Sequence, residues 1–227
     1  MLGAKLQDKM KLYGNPACIS TAKCLFTAAE KGVDIEPHFV DLNGGAESDE
    51  ITAMSPYGVL PILKDVDFVV IGTPAIMSYL DDKGFGTVLV PRNGVVRAVQ
   101  YMWMHTASEL AQPAVAGLIK GDGDTAEVAK YFDALESHLG EKSNPALRGD
   151  YICGAFTLAD VSWAAVANGC FIANAGDIIE SRPAVRKWWE LIKSHPSTSK
   201  EKIKAYDVLP TAQDISGNTL RGVSINA

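Results

Sequence analysis

The sequence predicts a protein of two parts, an α/β part followed by an all-helical part. Between Lys11 and Leu80, short apolar runs of strand length alternate with stretches of helical periodicity. Residues 81–93 are rich in Asp, Gly, Pro and Asn, which is typical of a linker. From Val95 onward the apolar residues recur at helical spacing. The 227 residues are enough for one or two domains with a sizeable core.

The first part is predicted to run strand, helix, strand, and then strand, strand, helix. The predicted strands are 11–13, 35–41, 60–64 and 67–71, and the predicted helices are 19–31 and 73–80. Gly32 suits the left-handed position after a helix, and Pro74 suits the first turn of the next one. Residues 43–50 are glycine-rich and acidic, which indicates a loop that holds one helical turn, continued by residues 51–54.

The second part is predicted to be helical throughout. The predicted helices are 95–119, 125–139, 158–173, 183–195 and 200–206, and the last residues form an extended tail. We therefore expect a first domain at 1–82, a helical domain at 92–206 and a tail at 207–227.

One helix start carries a recognisable cap. Thr157 and Asp160 form a variant of the capping box, in which the Thr157 hydroxyl accepts from the N–H of Asp160 and the Asp160 carboxylate accepts from that of Thr157. An unsatisfied N–H in a buried helix would cost ~1–3 kcal/mol. We therefore interpret Asp160 as a structural residue rather than a catalytic one.

The stretch from Tyr13 to Thr21 is the first candidate for chemistry. Turn residues at 14–16 separate the first strand from the first helix, so Cys18 lies at or near the first helical turn. The free N–H groups and the dipole at that end favour a thiolate and make it a better nucleophile, to which Lys23 adds a smaller contribution. The alternative, a small buried cysteine that fills a gap, is equally compatible with this stretch alone.

Composition excludes some functions. The formal net charge of −6 argues against a nucleic-acid partner. The four cysteines lack the spacing of a zinc site or a disulfide framework, which indicates reduced thiols, no metal and a cytoplasmic location. The first ten residues are polar, so we expect no signal peptide, although removal of a transit peptide would allow an organelle. Residues 158–179 contain four polar groups, which argues against a membrane span.

Four motifs together resemble the soluble glutathione transferases. They are Tyr-Gly-Asn-Pro at 13–16 running to Glu-Lys-Gly-Val at 30–33, Ser-Pro-Tyr-Gly-Val-Leu-Pro at 55–61, Thr-Pro-Ala-Ile-Met-Ser-Tyr-Leu at 73–80 and Phe-Thr-Leu-Ala-Asp at 156–160. The resemblance covers residues 11–195 and implies a thioredoxin-like domain followed by a helical domain, usually as a homodimer. A cysteine at the catalytic position is similar to the beta-, omega- and phi-like members.

The resemblance also implies a glutathione site. Cys18 matches the catalytic Ser or Cys, Pro61 matches the cis-proline, and the backbone of Leu60 would pair with the cysteinyl part of glutathione. Thr73 matches the residue that holds the γ-glutamyl carboxylate. The implied function is a glutathione-dependent transferase or a thiol-disulfide exchange enzyme, with glutathione as cosubstrate and a small electrophilic or disulfide substrate.

Three positions depart from the family pattern. Gly72 replaces an acidic residue, Glu47 stands where several classes have Lys or His, and Val59 replaces Gln or Lys. Charge-assisted contacts to glutathione are lost at each, worth ~1.5–3 kcal/mol apiece. These departures support an alternative, a non-catalytic family member that serves as a binding or scaffold protein, with the tail as a contact element for a protein partner.

The resemblance further places a hydrophobic substrate site beside the first long helix. Its candidates are Tyr101, Trp103 and His105, and an ordinary core stripe is the preferred interpretation of the same residues. The dimer implied by the family would pair residues 67–80 of one chain with residues 92–103 of the other.

Overall fold

The structure is a computed structural model that describes residues 9–15, 18–40 and 45–198. The predicted helix at 200–206 and the tail at 207–227 lie outside the described residues. The predicted fold class is confirmed: a four-stranded sheet with helices comes first, and a helical bundle follows.

In the described residues of the α/β part there are four strands and three helices. They are β1 (Met10–Gly14), α1 (Ile19–Lys31), β2 (Ile35–Phe39), α2 (Gly45–Met54), β3 (Ile62–Asp65), β4 (Phe68–Ile71) and α3 (Thr73–Lys83). The sheet order is β2-β1-β3-β4, with β1 parallel to β2, β3 antiparallel to β1 and β4 antiparallel to β3. This is the thioredoxin-like arrangement.

Strand alternation divides the core of this part into two layers. Leu12 and Leu63 face α1 and α3 on one side of the sheet, whereas Tyr13 and Ile62 face the opposite side. On that opposite side Ile51 of α2 joins the second, smaller apolar cluster. The expectation of a loop with one helical turn at 43–50 was therefore wrong in extent, because the helix spans Gly45–Met54 and is anchored by tertiary burial.

The helical part begins after the linker. Its helices are α4 (Gly94–His105), a π-helical segment (Thr106–Ala111), α5 (Gln112–Lys120), α6 (Thr125–Gly140), α7 (Leu158–Ile172), α8 (Asp177–Glu180) and α9 (Pro183–Ser194). The single helix predicted at 95–119 is thus interrupted. Pro113 has no N–H to offer the preceding turn, and a local change to wider π-type hydrogen bonding accommodates this loss.

The central helix α7 joins the two parts. All but its last two residues are buried, as expected from the apolar run, and the Trp163 indole donates to the Trp103 carbonyl at 3.0 Å. Gly169 lies where α7 meets both parts, since a Cβ added there would be 2.7 Å from Val115 and 3.1 Å from Ile19. This close approach fixes the start of α1, and therefore Cys18, against the helical bundle.

Candidate functional site

Cys18 occupies the N-cap position of α1. Its backbone is extended (φ −82°, ψ 123°), its carbonyl accepts from Ala22 N at 3.0 Å, and its N–H donates to the Asn15 carbonyl at 2.9 Å. The side chain caps no helical N–H and is partly exposed. The thiol therefore lies at the positive end of the helix macrodipole.

The other three cysteines are enclosed in the core. All four cysteines are free thiols, but Cys24, Cys153 and Cys170 are buried. Burial raises the pKa of Cys153 to about 11 and that of Cys170 to about 12, and it raises the pKa of Cys24 as well. These thiols stay protonated at neutral pH, so Cys18 is the cysteine able to react.

The residues predicted to bind glutathione lie at the same end of the sheet as Cys18. Tyr13 near the end of β1 pairs with Ile62 at the start of β3, and Ile62 pairs with Ile71 at the end of β4. The loop before α1, the Leu60–Pro61 segment before β3 and Thr73 after β4 therefore all emerge at one edge. The Leu60–Pro61 peptide bond is cis.

Thr73 begins α3 and follows a glycine N-cap. Gly72 has φ 88° and ψ 125° and offers no side-chain oxygen, while Thr73 is partly exposed. The first N–H groups of α3 are thus left for another acceptor, which is the usual arrangement of an anion site at a helix N-terminus. We call Cys18, Leu60, Pro61 and Thr73 the Cys18 site.

A chain of polar side chains lies behind Cys18, between the two parts of the molecule. Lys23 is 0% exposed, and its ammonium donates to Ser108 Oγ at 3.0 Å and to Gln112 Oε1 at 2.8 Å. Gln112 Nε2 donates in turn to Ser20 Oγ at 2.9 Å. We call these four residues the interdomain polar chain. The sequence indicates a favourable charge at Lys23 but gives no sign of its burial or of its partners.

Asp160 is enclosed by donors. Its carboxylate accepts from the backbone N–H groups of Thr157 (2.9 Å) and Ile152 (2.9 Å) and from the Trp188 indole (3.0 Å). Both halves of the capping box with Thr157 are present. Burial is the main influence on this carboxyl and raises its pKa to about 6, with the donors opposing the rise. Asp160 therefore caps α7 and ties α9 to it, well inside the helical part.

Comparison with known proteins identifies the family. Residues 8–82 match the glutathione S-transferase N-terminal domain, and residues 112–206 match the glutathione S-transferase C-terminal domain. The chain is 30% identical to Glutathione S-transferase 3 of Zea mays over 84% of its own length and 92% of the relative's. It is 32% identical to Glutathione S-transferase F14 of Arabidopsis thaliana over 85% and 82%.

The chain belongs to the glutathione S-transferase family. A solved structure supports the same assignment: glutathione transferase F7 from Populus trichocarpa superposes with a TM-score of 0.71 and 26% identity, covering 86% of this chain and 98% of that one. The predicted recognition of the family is thus confirmed.

The structure shows the local environment of two of the three positions that depart from the family pattern. Gly72 adopts a left-handed φ that side chains rarely tolerate, so the local backbone itself favours glycine over an acidic residue. Val59 is 47% exposed, and its N–H bonds the Ser55 hydroxyl at 3.0 Å. Glu47 lies in α2, and its side chain is outside the described residues.

The three substrate-site candidates on α4 separate in the structure. Trp103 is 6% exposed, with its ring 4.7 Å from that of His138 and 5.6 Å from that of Trp163. Trp103 is therefore packed in the core of the helical part. Tyr101 and His105 lie one helical turn apart and are exposed, so they remain candidates.

Two further properties concern the described part of the chain. Within it, no three His, Cys, Asp or Glu side chains are grouped so that they could hold a metal ion. None of its helices combines the length and the apolar character needed to cross a membrane.

Proposed function

We propose that this family member is a glutathione-dependent transferase that uses Cys18 for thiol-disulfide exchange. The observation that carries the proposal is the contrast among the four thiols: Cys18 is partly exposed at a helix N-terminus, and the other three are buried. A cysteine at this position favours exchange over plain conjugation, because it can itself become the attacking sulfur.

The exchange would proceed in two balanced steps. The Cys18 thiolate attacks the glutathione sulfur of a mixed disulfide, forms a Cys18–glutathione disulfide and releases the substrate as a thiolate, which takes up a proton. A second glutathione thiolate then attacks the glutathione sulfur on Cys18, releases oxidised glutathione and restores the Cys18 thiolate. With an electrophilic substrate, Cys18 would instead stabilise the glutathione thiolate that makes the attack.

The rest of the Cys18 site would hold the tripeptide. The backbone of Leu60, next to Pro61, would pair with the cysteinyl part, and the hydroxyl of Thr73 with the start of α3 would receive the γ-glutamyl carboxylate. Tyr101 and His105 on the exposed face of α4 are the remaining candidates for contact with the second substrate.

Support for an enzyme rather than a scaffold comes from the relatives. Both are named glutathione S-transferase, and the match covers most of the length of each. The alternative of a non-catalytic binding protein is not favoured. Its suggested contact element, the tail at 207–227, lies outside the described residues, and a protein partner there has no support.

A homodimer and a cytoplasmic location complete the proposal. The exposed apolar residues Val66 and Phe68 on the β3–β4 side, and Val95 and Met102 on α4, lie in or beside the two segments predicted to meet across the dimer. The four free thiols support a reducing compartment such as the cytoplasm.

Activity with two kinds of substrate tests the function. At millimolar glutathione we expect the wild-type protein to reduce a small mixed disulfide of glutathione. The Cys18→Ser variant should lose this reduction, while conjugation to an aryl halide persists or increases. Cys153→Ser serves as the matched control, because that thiol is buried and protonated. A wild-type protein inactive in both reactions, or a Cys18→Ser variant that still reduces the disulfide, would contradict the proposal.

A further inference from the structure

The ring of His195 joins the end of the helical part to α1 of the first part. His195 follows α9 directly, and its Nδ1 lies 3.4 Å from Oε2 of Glu30 in the last turn of α1. Both side chains are mostly buried, with 14% and 18% of their surface exposed. The contact therefore spans the boundary between the two parts of the molecule.

Aromatic rings and a short turn hold this ring in place. It stacks on the ring of Phe156, with centroids 4.2 Å apart and planes 16° apart, and the Phe156 ring lies 5.9 Å from that of Phe26 in α1. A single 3₁₀ turn follows, Pro196–Thr198, in which Thr198 N donates to the His195 carbonyl at 3.0 Å. The charge of the ring can therefore change while the ring stays beside Glu30.

The same nitrogen also contacts Ser197. Its Nδ1 is 2.7 Å from Ser197 Oγ and 3.4 Å from Ser197 N. A ring nitrogen accepts from an N–H only while it carries no proton, whereas a carboxylate beside it favours the protonated ring. The hydroxyl suits both states, because it can donate or accept. Nδ1 thus has one contact that favours its unprotonated form, the N–H of Ser197, and one that favours the charged ring, Glu30.

Other charged and titratable groups on the surrounding elements are either paired or neutral. Lys31, next to Glu30 in α1, pairs with Asp81 at 2.9 Å. Tyr151, whose ring is edge-on to that of His195 at 6.4 Å, stays neutral because burial raises its pKa further. Two exposed ion pairs on and beside α9 are screened by water and salt: Glu190–Lys193 and Asp150–Lys187. The charge state of His195 is therefore expressed mainly through its contact with Glu30.

We propose that His195 and Glu30 form a pH-sensitive clasp, in which protonation of the His195 ring fastens the end of the helical part to α1. At mildly acidic pH the carboxylate is ionised and the ring is charged, so a partly buried ion pair forms. As pH rises and the ring loses its proton, the stack on Phe156 and the bond from Ser197 remain, but the ionic attraction is lost. The contribution of the clasp to stability is thus present below the transition of the ring and disappears above it. The clasp does not depend on the chemistry at Cys18.

The first test follows the Cε1–H signals of the four histidines by NMR as pH is varied in the full chain without glutathione. The His195→Gln variant identifies the signal of His195. In Glu30→Gln, which keeps the shape without the charge, we expect the titration midpoint of His195 to fall by about one pH unit. The matched control is Glu36→Gln, which removes the carboxylate of an exposed pair with His38, where the side chains are 47% and 34% exposed. It should leave the midpoint of His195 unchanged.

The second test is amide hydrogen exchange of residues 190–198, measured by mass spectrometry and corrected for the intrinsic effect of pH. In the wild type we expect protection to be about fivefold greater at pH 6 than at pH 8, and this difference should disappear in Glu30→Gln and in His195→Gln. An unchanged His195 midpoint in Glu30→Gln overturns the proposal, as does equal protection of the wild type at the two pH values. If Glu30→Gln does not fold, a pH dependence that persists in His195→Gln overturns it equally. A wild type inactive as a transferase would refute the proposed function without affecting either measurement.

Discussion

The buried ion pair between Lys31 and Asp81 allows a quantitative prediction of stability. Lys31 Nζ and Asp81 Oδ1 are 2.9 Å apart, and their side chains are 2% and 1% exposed. Asp81 also accepts from Leu89 N at 3.0 Å and Val90 N at 3.1 Å, while Lys31 donates to the Thr87 carbonyl at 2.8 Å. The pair therefore links the last turns of α1 and α3 to the linker that leads into the helical part.

Removal of one charge should lower the free energy of unfolding strongly, because the other charge stays buried without a partner charge. Asp81→Asn keeps the shape and one acceptor oxygen but leaves the Lys31 ammonium without its anion, so we expect the free energy of unfolding to fall by ~3–5 kcal/mol. Lys31→Met should cost a similar amount, since the carboxylate then keeps only N–H donors. The double variant has no uncompensated charge. Its fall in the free energy of unfolding should therefore be smaller, by about 2 kcal/mol or more, than the sum of the falls in the two single variants.

Urea unfolding followed by tryptophan fluorescence measures these losses. The matched control is the exposed pair on α9, Glu190 and Lys193, whose side chains are 62% and 50% exposed. Glu190→Gln should cost less than ~1 kcal/mol. A loss below ~1 kcal/mol for Asp81→Asn, or strictly additive single losses, would show that the pair does not act as a coupled buried unit.

Two more predictions concern pH and assembly. Burial lowers the pKa of Lys23 from 10.5 to about 8 in the folded protein, so the unfolded chain binds more protons between these values and wild-type stability should rise with pH in this window. In parallel urea titrations, the free energy of unfolding of the wild type should rise by about 2 kcal/mol relative to that of Lys23→Met between pH 7 and pH 9.5. If the difference in free energy between the two proteins stays constant over this range, Lys23 is not a buried cation. For assembly, we expect the wild type to sediment as a dimer at micromolar concentration. Phe68→Glu should shift the protein toward monomer. The control Phe85→Glu, which changes an exposed residue of the linker, should leave the dimer intact. A monomeric wild type would refute the dimer.

Local chemistry explains why much of the fold was predictable. Gly32 adopts φ 62° at the end of α1, and Thr157 with Asp160 caps α7, because caps depend on a few neighbouring residues. Apolar periodicity likewise depends on the faces of single elements, so the order of strands and helices followed from it. Some ends shifted: α3 continues to Lys83, and Asp81, predicted to lie in the linker, is a buried ion-pair residue of that helix. The helix predicted at 95–119 is interrupted by the π-helical segment, and α2 is longer than the single turn expected.

The sequence by itself determined the order of elements, the two-part organisation and the position of Cys18 at a helix start, because each depends on local patterns or on motifs. The tertiary structure alone decided which side chains are enclosed. Trp103 is in the core while Tyr101 is exposed, α2 gains its anchor from packing of Ile51, and Lys23 is buried against Ser108 and Gln112. Burial is a property of the neighbours that folding brings together from distant positions, and a charged residue such as lysine gives no local sign of it.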